Sequence, residues 1–298
     1  MQTKMRGGLG AWLFLLAALG TLGTSPSAAQ FVRTQVVDVG QGDGILVRTP
    51  NQHWVLIDAG PDRSLADSLG PQFGVTRLAL VIVSHRHGDH YAGIEQVLRT
   101  LPVDRFVGNL ADCPNRTTDD GIRAALNDRH IPAQSLGADT IDVDGVRFIV
   151  LPPDPIDDAC PLDENNNSVV VRMEYGSFSM LFPGDADEEE RAWLVANERA
   201  LLDVSVLKAA HHGGNNGTSA DWLAAVTPQA VVISAGVVPR YQHPMPEAVA
   251  AYKAATGGRV YCTNRHGTIR VYGYQDGHFT ISKQRPTTKS CVYDGTHY

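Results

Sequence analysis

Short runs of apolar, often β-branched residues alternate with polar, glycine-bearing turns along most of the chain. Such runs, bounded by turn residues, are typical of buried strands. The clearest helix is predicted at residues 186–202, where Asp187, Glu188 and Glu189 suit the positive end of the helix dipole. Strands are predicted at 32–39, 45–49, 54–58, 77–84, 169–175, 178–183, 204–209, 231–234, 260–263 and 268–274, a hairpin at 141–151, and helices at 92–100, 220–226 and 247–255.

The first 29 residues have the pattern of a signal peptide. Lys4 and Arg6 precede an apolar stretch at 9–22, and small residues lie before a predicted cleavage ahead of Gln30. The apolar stretch is shorter than the ~20 residues that a spanning helix needs, and an uncleaved anchor is the alternative. We expect an exported bacterial protein, periplasmic or secreted, without stable membrane insertion after cleavage.

Removal of residues 1–29 would leave 269 residues, the size of one α/β domain. We therefore expect a single domain at 30–298, with a short C-terminal extension from about residue 275, and a monomer. The formal net charge is −7, and loss of two basic residues makes it −9. This charge argues against tight electrostatic binding of nucleic acid, so any contact with DNA should be confined to a local site.

An even number of cysteines in an exported chain favours disulfides. Proximity in sequence favours Cys113–Cys160 and Cys262–Cys291, although three pairings are possible. Thiolate binding of zinc is the alternative, but no Cys-x-x-Cys pair is present.

Three histidines and an aspartate are concentrated directly after the predicted strand at 77–84. They lie in the segment His85-Arg86-His87-Gly88-Asp89-His90. In an extended segment, the His-x-His spacing places two rings on one side, so both can bind one cation. Asp89 and His90 follow on a turn and can face a second cation. Neutral imidazole and carboxylate are ligands of zinc and related divalent ions, so this loop predicts a metal site.

This His-x-His-x-Asp-His segment resembles the metallo-β-lactamase superfamily of metal-dependent hydrolases. Six further segments occur in a matching order and are similar to the extracytoplasmic domain of the competence protein ComEC and its free-standing relatives. They are at 38–44, 56–60, 165–168, 182–185, 207–213 and 241–244. The resemblance spans about residues 31–274 and implies a four-layer αββα sandwich, with metals along the edge where strand-end loops meet.

The resemblance also implies a ligand set for two divalent metals, with Zn²⁺ expected and Mn²⁺ the alternative. His85 and His87 would bind the first metal, and Asp89 and His90 the second. Asp185 would bridge both metals, although it could also cap the following helix. His211 is expected to complete the second site, because neighbouring strand residues face opposite ways.

The remaining candidates are expected to act around the metals. His212 would act in catalysis or on the substrate, and His243 would contact an oxyanion or phosphate, with an ordinary loop histidine as the alternative. Asp89 is also counted among the catalytic groups. Asp43 is expected to orient a ligand histidine from behind it, with a purely structural role in the loop as the alternative.

Site one lacks an obvious third histidine, since His130 lies in a polar context typical of a surface helix end. The corresponding loop carries Asn166 and Asn167, which we expect to contact the substrate or support the ligands. This site could therefore be more open, or filled by Mn²⁺.

Two metals favour hydrolysis, with a metal-bridging hydroxide as the nucleophile. Cleavage of phosphodiesters, by a nuclease or phosphodiesterase, fits best because paired cations neutralise charge on phosphorus. A β-lactam, ester or lactone hydrolase is the alternative, and a non-catalytic module that binds DNA or cell-wall polymer is another.

Overall fold

The computed structural model describes residues 1–2, 30–110, 117–135, 137–151, 165–238 and 240–296. The predicted signal peptide and the predicted Cys113–Cys160 disulfide lie outside these residues. The described strands are β1 (Phe31–Val36), β2 (Gly44–Arg48), β3 (Trp54–Ala59), β4 (Leu80–Ile82), β5 (Phe106–Val107), β6 (Ala133–Gln134), β7 (Asp139–Val143), β8 (Val146–Leu151), β9 (Val170–Tyr175), β10 (Phe178–Phe182), β11 (Val206–Lys208), β12 (Ala230–Ile233), β13 (Val260–Cys262), β14 (Ile269–Tyr274) and β15 (Phe279–Lys283).

Helices connect the strands and cover both outer faces. They are α1 (Ser64–Phe73), α2 (Gly88–Tyr91), α3 (Ile94–Thr100), α4 (Thr117–Asp128), α5 (Glu188–Asn197), α6 (Ala220–Val226), α7 (Pro246–Thr256) and α8 (Thr263–His266). Short 3-10 turns occur at Asn165–Asn167, Arg199–Leu201, Ala210–Gly213 and Asn215–Gly217. None of the helices among the described residues has both the length and the apolarity to cross a membrane.

Two mixed sheets pack face to face. The first has the order β15-β14-β1-β2-β3-β4-β5-β6, and the second β13-β12-β11-β10-β9-β8-β7. Strands β3 to β6 are parallel to one another, as are β10 to β13. Since parallel strands end at the same edge of a sheet, the loops after β4, β10, β11 and β12 can form one site.

Three apolar layers hold the sandwich together. Phe148, Met173 and Phe178 belong to the layer between the sheets, whose buried residues come from both of them. The other two layers lie between each sheet and its helices. Gly273 in β14 has a specific role here, because a Cβ atom would lie 2.1 Å from the ring of Phe178. The predicted four-layer αββα sandwich is therefore confirmed.

Some element bounds differ from the predictions. The helix expected at 186–202 is shorter and is followed by a separate 3-10 turn at Arg199–Leu201. Helix α1 was not predicted because it contains Gly70 and Pro71, which usually interrupt helices. The chain beyond residue 275 is also part of the fold, since β15 pairs with β14.

Candidate metal centre

The histidine loop is fixed to the neighbouring strand through Asp58. Strand β4 ends at Ile82, and Ser84 then donates hydrogen bonds to Asp58 from its backbone nitrogen, at 2.8 Å, and from its hydroxyl, at 2.7 Å. Asp58 is 1% exposed and lies near the end of β3. Burying a carboxylate is costly unless it is hydrogen-bonded, and the start of the loop supplies these donors.

Asp58 also sets the tautomer of His90. The Nδ1 atom of His90 lies 2.8 Å from the Asp58 carboxylate, which can only accept when ionised, so Nδ1 carries the proton. The lone pair of the neutral ring is then on Nε2. A ligand histidine held by a carboxylate in this way is common at metal sites.

His212 has the same arrangement on the second sheet. Its Nδ1 atom lies 3.0 Å from the backbone carbonyl of Ser234, which cannot donate, so Nδ1 is again the protonated nitrogen. Its Nε2 atom lies 3.2 Å from Nε2 of His90. Two imidazole lone pairs therefore face each other across a gap that a cation would make favourable.

Two carboxylates face the same gap. Asp185 follows β10, and its oxygens lie 3.2 Å from Nε2 of His90 and 3.1 Å from Nε2 of His212. Asp89 lies 3.3 Å from Nε2 of His212. Asp185 does not cap the next helix, since α5 has Asp187 at its N-cap position. The donor atoms that converge here are those a divalent metal requires, so this set fits one.

The same carboxylates control the protonation of both rings. Burial disfavours the charged form of His90, but Asp185 and Asp58 outweigh it and raise its pKa to about 10. Burial is likewise outweighed at His212, where Asp185 raises the pKa well above the usual value. Conversely, His212 and His90 overcome burial and hold the pKa of Asp185 well below its usual range. A region with such affinity for protons also attracts metal cations.

His85 and His87 lie beside this gap. The ring centroid of His85 is 4.8 Å from that of His87 and 4.2 Å from that of His90. Burial, with the charge of His90, lowers the pKa of His85 well below its usual value, so His85 is neutral. Its buried Nε2 atom has no hydrogen-bond partner among the described residues. An orphaned imidazole nitrogen beside the gap is a donor available to a second metal.

A buried ammonium group lies behind the metal ligands. Lys208, at the end of β11, contacts the Asp43 carboxylate and lies 3.3 Å from the Gly184 carbonyl oxygen. Burial opposes ionisation of Asp43, but Lys208 more than compensates and lowers its pKa. Asp43 faces the Nδ1 side of His212, at 3.5 Å. The centre thus sets one ammonium group against four carboxylates, those of Asp43, Asp58, Asp89 and Asp185.

The His211-His212 pair lies beyond its strand, in a left-handed turn. The φ angles are 46° and 54°, so the alternation of side chains expected for a strand does not apply. His212 faces Asp185 and His90. His211 instead has Nδ1 3.0 Å from Asp187 and Nε2 3.9 Å from Asp185, and is partly exposed. The structure therefore favours His212, rather than the predicted His211, for the second site.

The asparagine turn also differs in orientation from the expectation. Asn165 borders the site cavity, whereas Asn166 binds Glu189 at 3.3 Å and accepts from the backbone of Glu190. Asn167 is buried and does not border the cavity. His130 is exposed beyond α4, as expected.

An open cavity of about 530 Å³ gives access to the centre. His243 is buried at its wall, with its ring centroid 5.5 Å from that of His211 and 6.0 Å from that of Tyr241. The cavity is bordered by Gln41, Pro61, His87, Gly88, Asp89, Asn165, Asp185, His211, His212, Val238, Tyr241 and His243. A substrate could therefore reach the donor atoms from one side.

Asp58, Ser84 and Lys208 were not assigned roles from the sequence. Each had a detectable signal, because each interrupts or ends an apolar strand with a polar group. A charged residue in a fully buried strand requires a partner, and the partner here is the metal centre.

Histidine and carboxylate donors, gathered where strand ends meet on an αββα sandwich, define a protein of the binuclear metallohydrolase class. The chain belongs to the metallo-β-lactamase superfamily, which it matches over residues 37–237. Members of this superfamily are generally metal-dependent hydrolases, and the predicted family is confirmed.

Curated relatives support the predicted branch. The chain is 29% identical over 276 residues to ComE operon protein 3 of Bacillus subtilis (strain 168), covering 86% of this chain and 35% of that protein. It is 31% identical over 268 residues to competence protein ComA of Neisseria gonorrhoeae, covering 88% and 36%. The chain thus spans about a third of the length of these relatives.

Solved structures share the fold. YhfI, a metallo-β-lactamase fold protein of Bacillus subtilis, has a TM-score of 0.52 at 14% identity, covering 85% of this chain and 100% of that one. CmlA, a diiron β-hydroxylase of Streptomyces venezuelae, has a TM-score of 0.50 at 14% identity, covering 80% and 53%. At this identity, the similarity shows the fold alone.

Proposed function

We propose that this chain is an exported hydrolase that binds two divalent metals and cleaves phosphodiester bonds. The observation that carries the metal assignment is the pair of Nε2 atoms of His90 and His212, 3.2 Å apart, with both Nδ1 protons committed elsewhere. When bound, the metals would activate water and neutralise charge on the substrate. Zn²⁺ is the expected metal, with Mn²⁺ the alternative.

The residues of the chain have distinct tasks in this proposal. His90, Asp89, Asp185 and His212 would hold the second metal, and His85 and His87 would hold the first, with Asp185 shared. Asp58 fixes the ring of His90, and the Ser234 carbonyl fixes that of His212. His243 and His211 border the open cavity, where either ring can hydrogen-bond a phosphate oxygen or give a proton to the leaving group.

Phosphodiesters are favoured over neutral substrates by the balance of charge and by the relatives. Two dications would bring four positive charges to a centre with a surplus of carboxylates, which suits an anionic group. Competence proteins among the relatives make nucleic acid a natural candidate. The described cavity border contains no lysine or arginine, so contact with a polymer would be confined to the centre.

Export is supported by the predicted signal peptide and by the Cys262–Cys291 disulfide, which is present in the structure. A test is metal analysis of the purified chain, together with hydrolysis of bis-p-nitrophenyl phosphate and nitrocefin. We expect two metals per chain and preference for the phosphodiester. Preference for nitrocefin would favour a β-lactam hydrolase, and a single metal without turnover of either compound would favour a binding module.

A further inference from the structure

His243 has little of its own to hold its ring in place. Its Nδ1 atom is buried and has no hydrogen-bond partner among the described residues. The neighbouring rings of His211, His212 and Tyr241 offer packing rather than a fixed donor or acceptor. The orientation of the His243 ring therefore depends on the backbone on which it is mounted.

That backbone is held from the metal side. The nitrogen of Met245 donates to the carbonyl of Gly213 at 2.9 Å, and Gly213 directly follows His212. Pro244 also packs against Gly213, where a Cβ atom would come within 3.0 Å of the Pro244 Cβ. Gly213 has a φ angle of 78°, which favours glycine in any case.

The C-terminal tail, residues 291–296, holds the same backbone from the opposite side. The nitrogen of Tyr293 donates to the carbonyl of Pro244 at 3.0 Å. Two residues earlier, Cys291 is bonded to Cys262 at the end of β13. The buried Arg265 binds the carbonyl of Val292 at 3.1 Å, that of Thr296 at 2.8 Å, and the carboxylate of Asp294.

We propose that the disulfide-anchored tail is a positioning element for His243, and that breaking the Cys262–Cys291 bond lowers turnover by releasing the Pro244 backbone. This inference rests on the proposed function for its effect on turnover. Both His243 and the tail lie outside the region matched to the superfamily, residues 37–237. The metal ligands are mounted on other segments and should be unaffected.

The test is a double-mutant cycle with C262S/C291S, His243→Ala and the combined variant, assayed on bis-p-nitrophenyl phosphate. We expect C262S/C291S to lower kcat about 10-fold, a loss of the size that misplacing a catalytic group produces. In the His243→Ala background, the same change should alter kcat by less than about 2-fold, because the group it positions is gone. Metal content should stay unchanged throughout.

Lys253→Ala is the matched control, since it removes a bond from Lys253 to Ser290 beside the tail without touching Pro244. It should keep wild-type kcat. Equal fractional losses in both backgrounds, or a loss of metal, would overturn the proposal, because the tail would then support the whole centre.

Amide hydrogen exchange supplies a readout that does not need activity. C262S/C291S should raise exchange at residues 241–245 while leaving 84–90 as in the wild type, and unchanged exchange at 241–245 would refute the positioning role. If the chain lacks phosphodiesterase activity, this measurement still decides the inference. Tyr293→Pro, which removes the donating N–H alone, serves the same purpose if C262S/C291S does not fold.

Discussion

The inner and outer parts of the centre are built in different ways. On the inner side, His90 and His212 each have one nitrogen committed to a fixed acceptor, and both rings are fully buried. On the outer side, His87 and His211 are partly exposed, and His243 is held through its backbone. The difference indicates that metal binding is secured by side-chain hydrogen bonds, whereas substrate contact depends on loops.

Asp185→Asn should have the largest effect, because it removes the charge shared by both inner histidines. The residue keeps its shape and does not cap α5, so folding should survive. We expect hydrolysis to fall by about 10³-fold or more, with loss of at least one metal, measured by elemental analysis and steady-state kinetics. Full metal content together with full activity would contradict the mechanism.

Asp58→Asn should weaken the inner part without touching a ligand. The amide must direct its NH₂ group at either the Ser84 or the His90 donors, so one hydrogen bond becomes a clash of donors. Metal affinity should fall about 10–100-fold in competition with a chelator. Asp104→Asn, at an exposed ion pair with Arg77, is the control and should bind metal normally.

His243→Ala should separate the outer part from the inner part. Both metals should remain bound, while kcat for bis-p-nitrophenyl phosphate should fall about 10- to 100-fold and turnover of neutral esters should fall less. His130→Ala, at an exposed histidine remote from the cavity, should behave as the wild type. Loss of metal from His243→Ala would place this residue among the ligands.

Asp144→Asn should have the smallest effect and should act on stability alone. Despite its partial burial, hydrogen bonds from Thr49, His53 and Asn51 lower the pKa of Asp144 and join the turns of the two sheets. A lowered pKa stabilises the folded state above the pKa of the unfolded chain, about 3.9, and this contribution is lost as the pH falls through the folded value.

The variant should therefore lose about 1 kcal/mol in urea unfolding at pH 7, and the difference from the wild type should shrink at acidic pH. Kinetic parameters should not change. A difference in stability that grows on acidification would show that Asp144 is not the group responsible.

The sequence predicted the fold class and the histidine loop because both follow from local patterns. Alternating runs reveal strands, and the density of histidine and aspartate at 85–90 has few structural explanations. The choice between His211 and His212 could not be predicted, since it depends on a left-handed turn that begins only after the strand ends. The roles of Asp58 and Lys208 were missed for a related reason, because their partners are distant in sequence.

The donor atoms of the centre come from both sheets, with Asp89 and His90 on the first and Asp185 and His212 on the second. Metal uptake therefore ties together two halves of the sandwich that are otherwise joined mainly by apolar packing. By thermodynamic linkage, the free energy of metal binding adds to that of folding, since the unfolded chain cannot assemble these donors. A chelator would then act on this protein as a denaturant acts, at the seam between the two sheets.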